Sequence, residues 1–271
     1  MDTTKFYALK LSLLKYFVIG VTLVLLLVSP SSYGQELPEK VVNENAQFWI
    51  STNNVFRIAN RWALLNDIHI RRNNFLADPN FYFLRVGGQY YLNSSLRLAA
   101  GYAHLWLTPT GDWDRFQNEN RIYQQLSISK RYEKMNALFR IRLEQRFFNN
   151  VQDGQSLNDD FFVNRIRFLV SAGFPFKQGG PTEFILANET HLNFGKDVVF
   201  NTFNQNRLTI GLKHQLSKNW KVDCGYMMVY QQLAAGNVYN LNHTLRLFFY
   251  GSFDFRKNKN LPFNEVRHGD E

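Results

Sequence analysis

The chain lacks the usual staples. Cys224 is the only cysteine in 271 residues, so no disulfide can form within the chain and the fold must rest on burial and hydrogen bonding. The six histidines are scattered, with no H-x-x-x-H and no Cys/His pairing, so we expect no metal site and no cofactor. The glycine-bearing stretches "VGGQ" (86–89) and "PTGD" (109–112) are not followed by a helical pattern, which excludes phosphate-cradling loops. Acidic residues are also in deficit, 22 against 31 Lys and Arg, for a formal charge of +9. A basic chain invites a nucleic-acid reading, but the first residues argue against it.

Long apolar runs are missing everywhere except there. Lys5, Lys10 and Lys15 precede "YFVIGVTLVLLLV" (16–28), and "SPSSYGQE" follows. These are the charged, apolar and small-residue regions of a secretory signal peptide. The run falls short of the roughly 20 residues that a spanning helix needs. We place cleavage after Gly34, with Ser32 three residues back, so that 1–34 is the leader and Gln35 the mature start. An exported chain rarely meets nucleic acid, and we expect none as a partner.

Helical periodicity is absent from residue 35 onward. Aromatic residues are plentiful instead: 16% of the chain, with 25 Phe and 13 Tyr. A chain so aromatic yet hydrophilic on average must alternate greasy and polar residues. It does so in eleven period-two segments, at 46–56, 61–72, 81–92, 96–107, 118–132, 137–148, 162–176, 183–194, 203–216, 220–233 and 241–255. These exceed the five or six residues usual for a soluble strand and suit tilted strands crossing a bilayer. The connections alternate: "IAN", "NSS", "EKMN", "KQGGPT" and "SKN" are tight, whereas "NNFLADPN", "TPTGDWDRFQ", "NNVQDGQSLNDD", "GKDVVFNT" and "AAGNVYN" are longer. Outer-membrane barrels have this asymmetry, with short periplasmic turns and longer outer loops.

The segment "LFRIRLEQRF" (138–147) shows what the alternation is for. Phe139, Ile141, Leu143 and Phe147 share one face, and Arg140, Arg142, Glu144 and Arg146 share the other. In hydrocarbon every backbone polar group must be paired within the protein, so only helices and closed barrels span. A closed barrel turns its apolar face outward and its polar face inward. The expected fold is therefore all-β: an antiparallel transmembrane outer-membrane barrel over 46–255. A polar periplasmic tail would occupy 256–271. Trp49, Trp62, Tyr90, Trp106, Tyr132 and Trp220, near segment ends, are candidates for interfacial girdles. Because single-chain barrels of this kind have even strand numbers, ten or twelve strands are expected. Twelve is favoured over ten, with 35–45 either a periplasmic segment or a weak first strand.

The stretches "QFWIS", "NRWALLNDIHIRR", "RVGGQYYL", "LAAGYAHL", "NENRIYQQL", "FRIRLEQRF", "NRIRF" and "ANETHLNF" occur in this order over nearly the whole mature chain. The series resembles the outer-membrane barrels grouped as domain of unknown function 2490. The resemblance implies an exported barrel in the outer membrane of a Gram-negative bacterium. It implies no activity and no catalytic residues. The last segment, "LRLFFYGSFDF", looks like the closing strand that barrel-assembly machinery recognises during insertion.

If the polar faces point inward, the lumen carries basic groups at Arg71, Arg85, Arg121, Arg140, Arg142, Arg146, Arg165, Arg167, Arg207, Lys213 and Arg246. The acidic ones are Asp67, Glu119, Glu144 and Glu189, with His69, His191 and Tyr123 among them. Eleven cations against four carboxylates leave a positive excess. Two readings follow. Arg–Glu pairs can fill a narrow lumen and hold the barrel round, or the surplus arginines can line a narrow pore that favours small anionic solutes. An enzyme is the rival from another class: a lipid hydrolase or protease with its site at the outer rim. No same-strand H-x-S or S-x-H supports it; His104 and His214 have no serine two residues away, and Asp112, Asp114, Asp153, Asp159 and Asp160 read as turn acids. Outer-membrane lipid and lipopolysaccharide are the expected surroundings.

Overall fold

Alternation at period two has one consequence for the backbone: each segment can lie only in a sheet, with its two chemistries on opposite faces. In the computed structural model, which describes residues 39–109, 116–149, 151–152, 155–156 and 161–257, that is the outcome. The strands are β1 (Val41–Arg57), β2 (Trp62–Asn73), β3 (Asp78–Tyr91), β4 (Leu96–Leu107), β5 (Gln117–Arg131) and β6 (Asn136–Phe148). After them come β7 (Phe161–Pro175), β8 (Thr182–Phe194), β9 (Phe203–Gln215), β10 (Trp220–Gln232) and β11 (Val238–Asp254). Each pairs with its sequence neighbour in antiparallel register, and the sheet closes into a barrel. A two-residue ladder, Val151–Gln152 with Gln155–Ser156, lies in the connection from β6 to β7. The expected leader, residues 35–38 of the 35–45 segment, and the tail beyond Lys257 lie outside the described residues.

The barrel has eleven strands, not the even number expected. Every connection is a hairpin, so strand direction alternates, and with an odd count β1 and β11 run the same way. The seam between them is therefore parallel, continuous from Val41↔Val238 to Arg57↔Asp254. No separate twelfth strand exists in the described part of 35–45, because Val41–Asn45 is the upper end of β1 itself. Identical residues meet along this seam. Asn43 Nδ2 donates to Asn240 Oδ1 at 3.4 Å, and Asn45 Nδ2 to Asn242 Oδ1 at 3.1 Å.

The connections after β1, β3, β5, β7 and β9 leave from one end of the barrel, and those after β2, β4, β6, β8 and β10 from the other. The alternation of short and long is partial. Half of "NNFLADPN" is taken up by β2 and β3, leaving a tight connection at 74–77 with Asn74 and Phe75 in the left-handed region. Phe75 N–H donates to Ala46 O at 2.9 Å, and its ring packs edge-on against Phe48 at 5.9 Å, tying this connection to β1.

The faces are inverted relative to a water-soluble protein. On β9, Leu208, Ile210 and Leu212 are 40%, 45% and 46% exposed on the outside, whereas Arg207, Thr209 and Lys213 are 7%, 4% and 1% exposed within. Strands of 12 to 17 residues rise about 3.4 Å per residue. At a tilt of roughly 40°, even the shortest covers about 30 Å along the barrel axis.

Candidate functional site in the barrel lumen

An eleven-strand barrel is narrow enough for long side chains to meet across it. All eighteen candidate lumen residues lie inside. Asp67, His69, Arg71, Arg85, Glu119, Tyr123, Arg140, Arg142, Glu144, Arg165, Arg167, Glu189, His191, Arg207, Lys213 and Arg246 are buried, and Arg121 and Arg146 are half-buried near the long-loop end.

Strands β5 to β9 form the charged wall. Glu119 on β5 receives two guanidinium forks. Arg121 donates Nε to Oε1 and Nη2 to Oε2 at 2.5 and 2.9 Å, and Arg146, its cross-strand neighbour on β6, donates in the same way at 2.6 and 3.1 Å. Glu144 on β6 accepts both Nε (2.8 Å) and Nη2 of Arg165, and Nη1 of Arg167 at 2.9 Å. Arg167 then reaches Glu189 on β8 with Nε and Nη2, at 3.0 and 2.8 Å. Arg140 Nη2 joins the same carboxylate at 2.7 Å, with His191 Nε2 at 3.0 Å and Arg207 Nη1 at 3.5 Å. Arg167 thereby links two carboxylates across adjacent strands. Paired, bidentate geometry of this kind makes buried ions tolerable.

The opposite wall, from β10 and β11 round to β4, is mixed. Asp67 accepts Arg85 Nε at 2.5 Å there, and Asp223 accepts Arg246 Nη2 at 2.9 Å. Between these pairs apolar clusters sit among buried amides, hydroxyls and arginines. Trp49, Met227, Val229, Phe248 and Tyr250 form one buried cluster, and Phe83, Ala103 and Leu105 form another. His69 lies edge-on to Phe83 and Phe248, at 4.8 and 6.0 Å between ring centres. Trp49 thus belongs to the lumen rather than to an interfacial girdle, because its place in β1 puts it on the same face as Gln47, Ser51 and Asn53. Asp223, Arg57 and Arg97 are further interior charges that sequence reading missed. For Asp223 a signal existed: it is the only acid in β10, the strand facing Arg246.

Tyr123 joins the walls, its ring 5.3 Å from the Arg85 guanidinium and 5.5 Å from that of Arg142. It needs the two glycines that face each other beside it on β3 and β4. A Cβ on Gly87 would overlap the Tyr123 hydroxyl, and one on Gly101 would stand 2.9 Å from its ring. At mid-height the space between Asp67, Arg85, Tyr123 and Arg142 is about 10 Å³, scarcely one water. Larger cavities occur at the two ends. One at the long-loop end has about 280 Å³ and is lined by arginines 71, 121, 146, 165, 167 and 207 with Glu119. Another, of about 610 Å³, lies at the short-turn end beside Asn136, Glu183 and Lys213.

The histidines weighed for an outer-rim enzyme lie on the outside. His104 Nδ1 is 2.8 Å from Asn120 Oδ1, and its ring packs on Trp106; His214 Nδ1 is 2.7 Å from Thr182 Oγ1. Asp112, Asp114, Asp153, Asp159 and Asp160 lie outside the described residues. Outward-facing aromatics gather in two bands. Trp62/Tyr90, Phe56/Phe253 and Trp220/Phe253 pack together at the short-turn end; Tyr82/Phe116, Phe147/Phe162 and Tyr230/Tyr239 do so towards the long-loop end.

The family model described as "Protein of unknown function (DUF2490)" matches residues 46–240. No curated protein and no solved structure matches the chain.

Proposed function

The chain belongs to the DUF2490 family, and we propose that it is an outer-membrane barrel whose lumen is closed by its own side chains: a sealed cylinder rather than a conducting pore. The observation that carries this reading is the lumen at mid-height, where Arg142 is 1% exposed and Tyr123 2% exposed, and the space between them, Asp67 and Arg85 is about 10 Å³. An ion crossing there would have to break the carboxylate–guanidinium forks, each of which is a buried, charge-assisted contact.

Membrane embedding is supported from outside. The outer faces of β1–β11 are mostly apolar, the amides within them bonded to each other as Gln124/Gln145 and Asn188/Asn206, and the two aromatic bands flank this belt as interfacial girdles do. In water such a belt would cost about 25 cal/mol for each Å² of apolar surface. The short turns would face the periplasm and the longer connections the exterior, in contact with lipopolysaccharide. The last strand presents Leu245, Leu247, Phe249, Phe253 and Phe255 on its outer face, the surface that assembly machinery would read on insertion.

Planar-bilayer recording on the purified, folded protein tests the closed lumen. The expected trace is flat at all moderate voltages. A steady, ohmic conductance, with or without anion preference, overturns it in favour of the pore. Heat-modifiable migration of protein from outer-membrane fractions, read in parallel, establishes that the recorded material is folded barrel.

A further inference from the structure

We propose that the cavity at the long-loop end is a binding site for a small organic anion with an apolar body, such as a single-ring aromatic carboxylate. The inference rests on the closed lumen proposed above, which makes this cavity a blind vestibule rather than the entrance of a channel.

Charge comes first. Six arginines and one glutamate line the vestibule. Directly beneath it Glu144 and Glu189 add two carboxylates, and Arg140 one more cation. Cations still outnumber carboxylates by seven to three among the described residues of this cluster. The lining arginines are largely shielded from bulk solvent, so surplus charge is costly, and an added anion is attracted more strongly than it would be in open solvent. A solute carrying one or two negative charges is therefore drawn to this wall. Access is graded in the right direction: the side chains of Arg121 and Arg146 are 11% and 12% exposed at the mouth, falling to 0% for Arg140 below.

The facing wall sets the rest of the ligand. Trp49, Phe81, Phe83, Leu105 and Val229 line the same cavity. The Arg71 guanidinium lies 3.4 Å from the Trp49 ring centre and 4.5 Å from that of Phe81, and the Arg207 guanidinium lies 5.1 Å from the Trp49 ring centre. Aromatic faces and guanidinium planes offer a stacking surface for a flat apolar group. The volume, about 280 Å³, falls just below the ~300–1,000 Å³ typical of drug-sized ligands. A single-ring acid fits that space; a nucleotide or an oligosaccharide does not.

Trp49 reports directly on the site. The folded protein is titrated with 4-nitrobenzoate, whose nitroaromatic ring quenches indole fluorescence, and with 4-nitrobenzylamine, which has the same body and the opposite charge. Saturable quenching by the acid, at least tenfold tighter than by the amine, is expected. Trp49→Phe should abolish the saturable component, and Arg207→Gln should weaken it about fivefold while heat-modifiable migration shows the barrel still folded. Equal quenching by acid and amine, or saturable quenching that survives Trp49→Phe, overturns the site. A flat bilayer trace with no saturable quenching sinks the vestibule alone. An ohmic trace that the acid blocks sinks the closed lumen and leaves anion binding standing.

Discussion

The two walls of the lumen solve the same packing problem with different chemistry. On β5–β9 three carboxylates hold at least six cationic groups, and Arg167 joins two of the carboxylates; on β10, β11 and β1–β4 the charge pairs Asp67–Arg85 and Asp223–Arg246 stand apart, and apolar clusters take up much of the space between them beside buried amides and arginines. The difference teaches where the barrel is most sensitive. An apolar wall loses contacts when a side chain is cut back, and its neighbours can partly collapse into the gap. A charged wall that loses a carboxylate keeps its buried cations and their desolvation cost.

The largest effect should therefore come from Glu189→Ala, which strips the shared acceptor from Arg140, Arg167 and His191. A loss of about 3–5 kcal/mol is expected, seen as a large fall in the temperature at which the folded band is lost on gels, or as failure to assemble. On the other wall Phe248→Ala should cost about 3 kcal/mol, towards the lower end for buried aromatics, by the same readout. If Phe248→Ala proves the more damaging of the two, the contrast between the walls is wrong. Gly87→Ala probes the junction: the added methyl meets the Tyr123 hydroxyl and the Ala100 carbonyl oxygen. It should cost about 1–3 kcal/mol, and Tyr123→Phe in the same chain should recover part of that. The smallest effect is expected at the seam. Asn43→Ala removes an exposed amide pair with Asn240 and should change the midpoint by less than about 1 kcal/mol.

Legibility followed the same division. Along 138–147 and 207–213 the two faces of a strand differ so sharply that alternation alone gives both orientation and contents, and the residues of the charged wall could be named from it. On the mixed wall only the charged and histidine members Asp67, His69, Arg71, Arg85 and Arg246 could be. In "LFFYG" Phe248 points in and Phe249 points out, and nothing in their chemistry distinguishes them. Trp49 was lost for the same reason: an aromatic at a strand end reads equally well as girdle or as lumen. The parallel seam lay beyond any argument from single strands, because alternation says which face is apolar but not which strands are neighbours. One trace of it is present in the sequence, since "VVNEN" and "VYNLN" share the spacing V-x-N-x-N and pair in that register.

The most direct test of the inverted barrel uses the chain's own thiol. Cys224 is exposed on the outer face of β10, four residues above the short-turn end. If that face lies in hydrocarbon, a charged maleimide that cannot enter the bilayer should leave Cys224 unlabelled in intact outer membranes and label it fully after denaturation. Rapid labelling of the folded protein in those membranes would place the face in water and contradict the account.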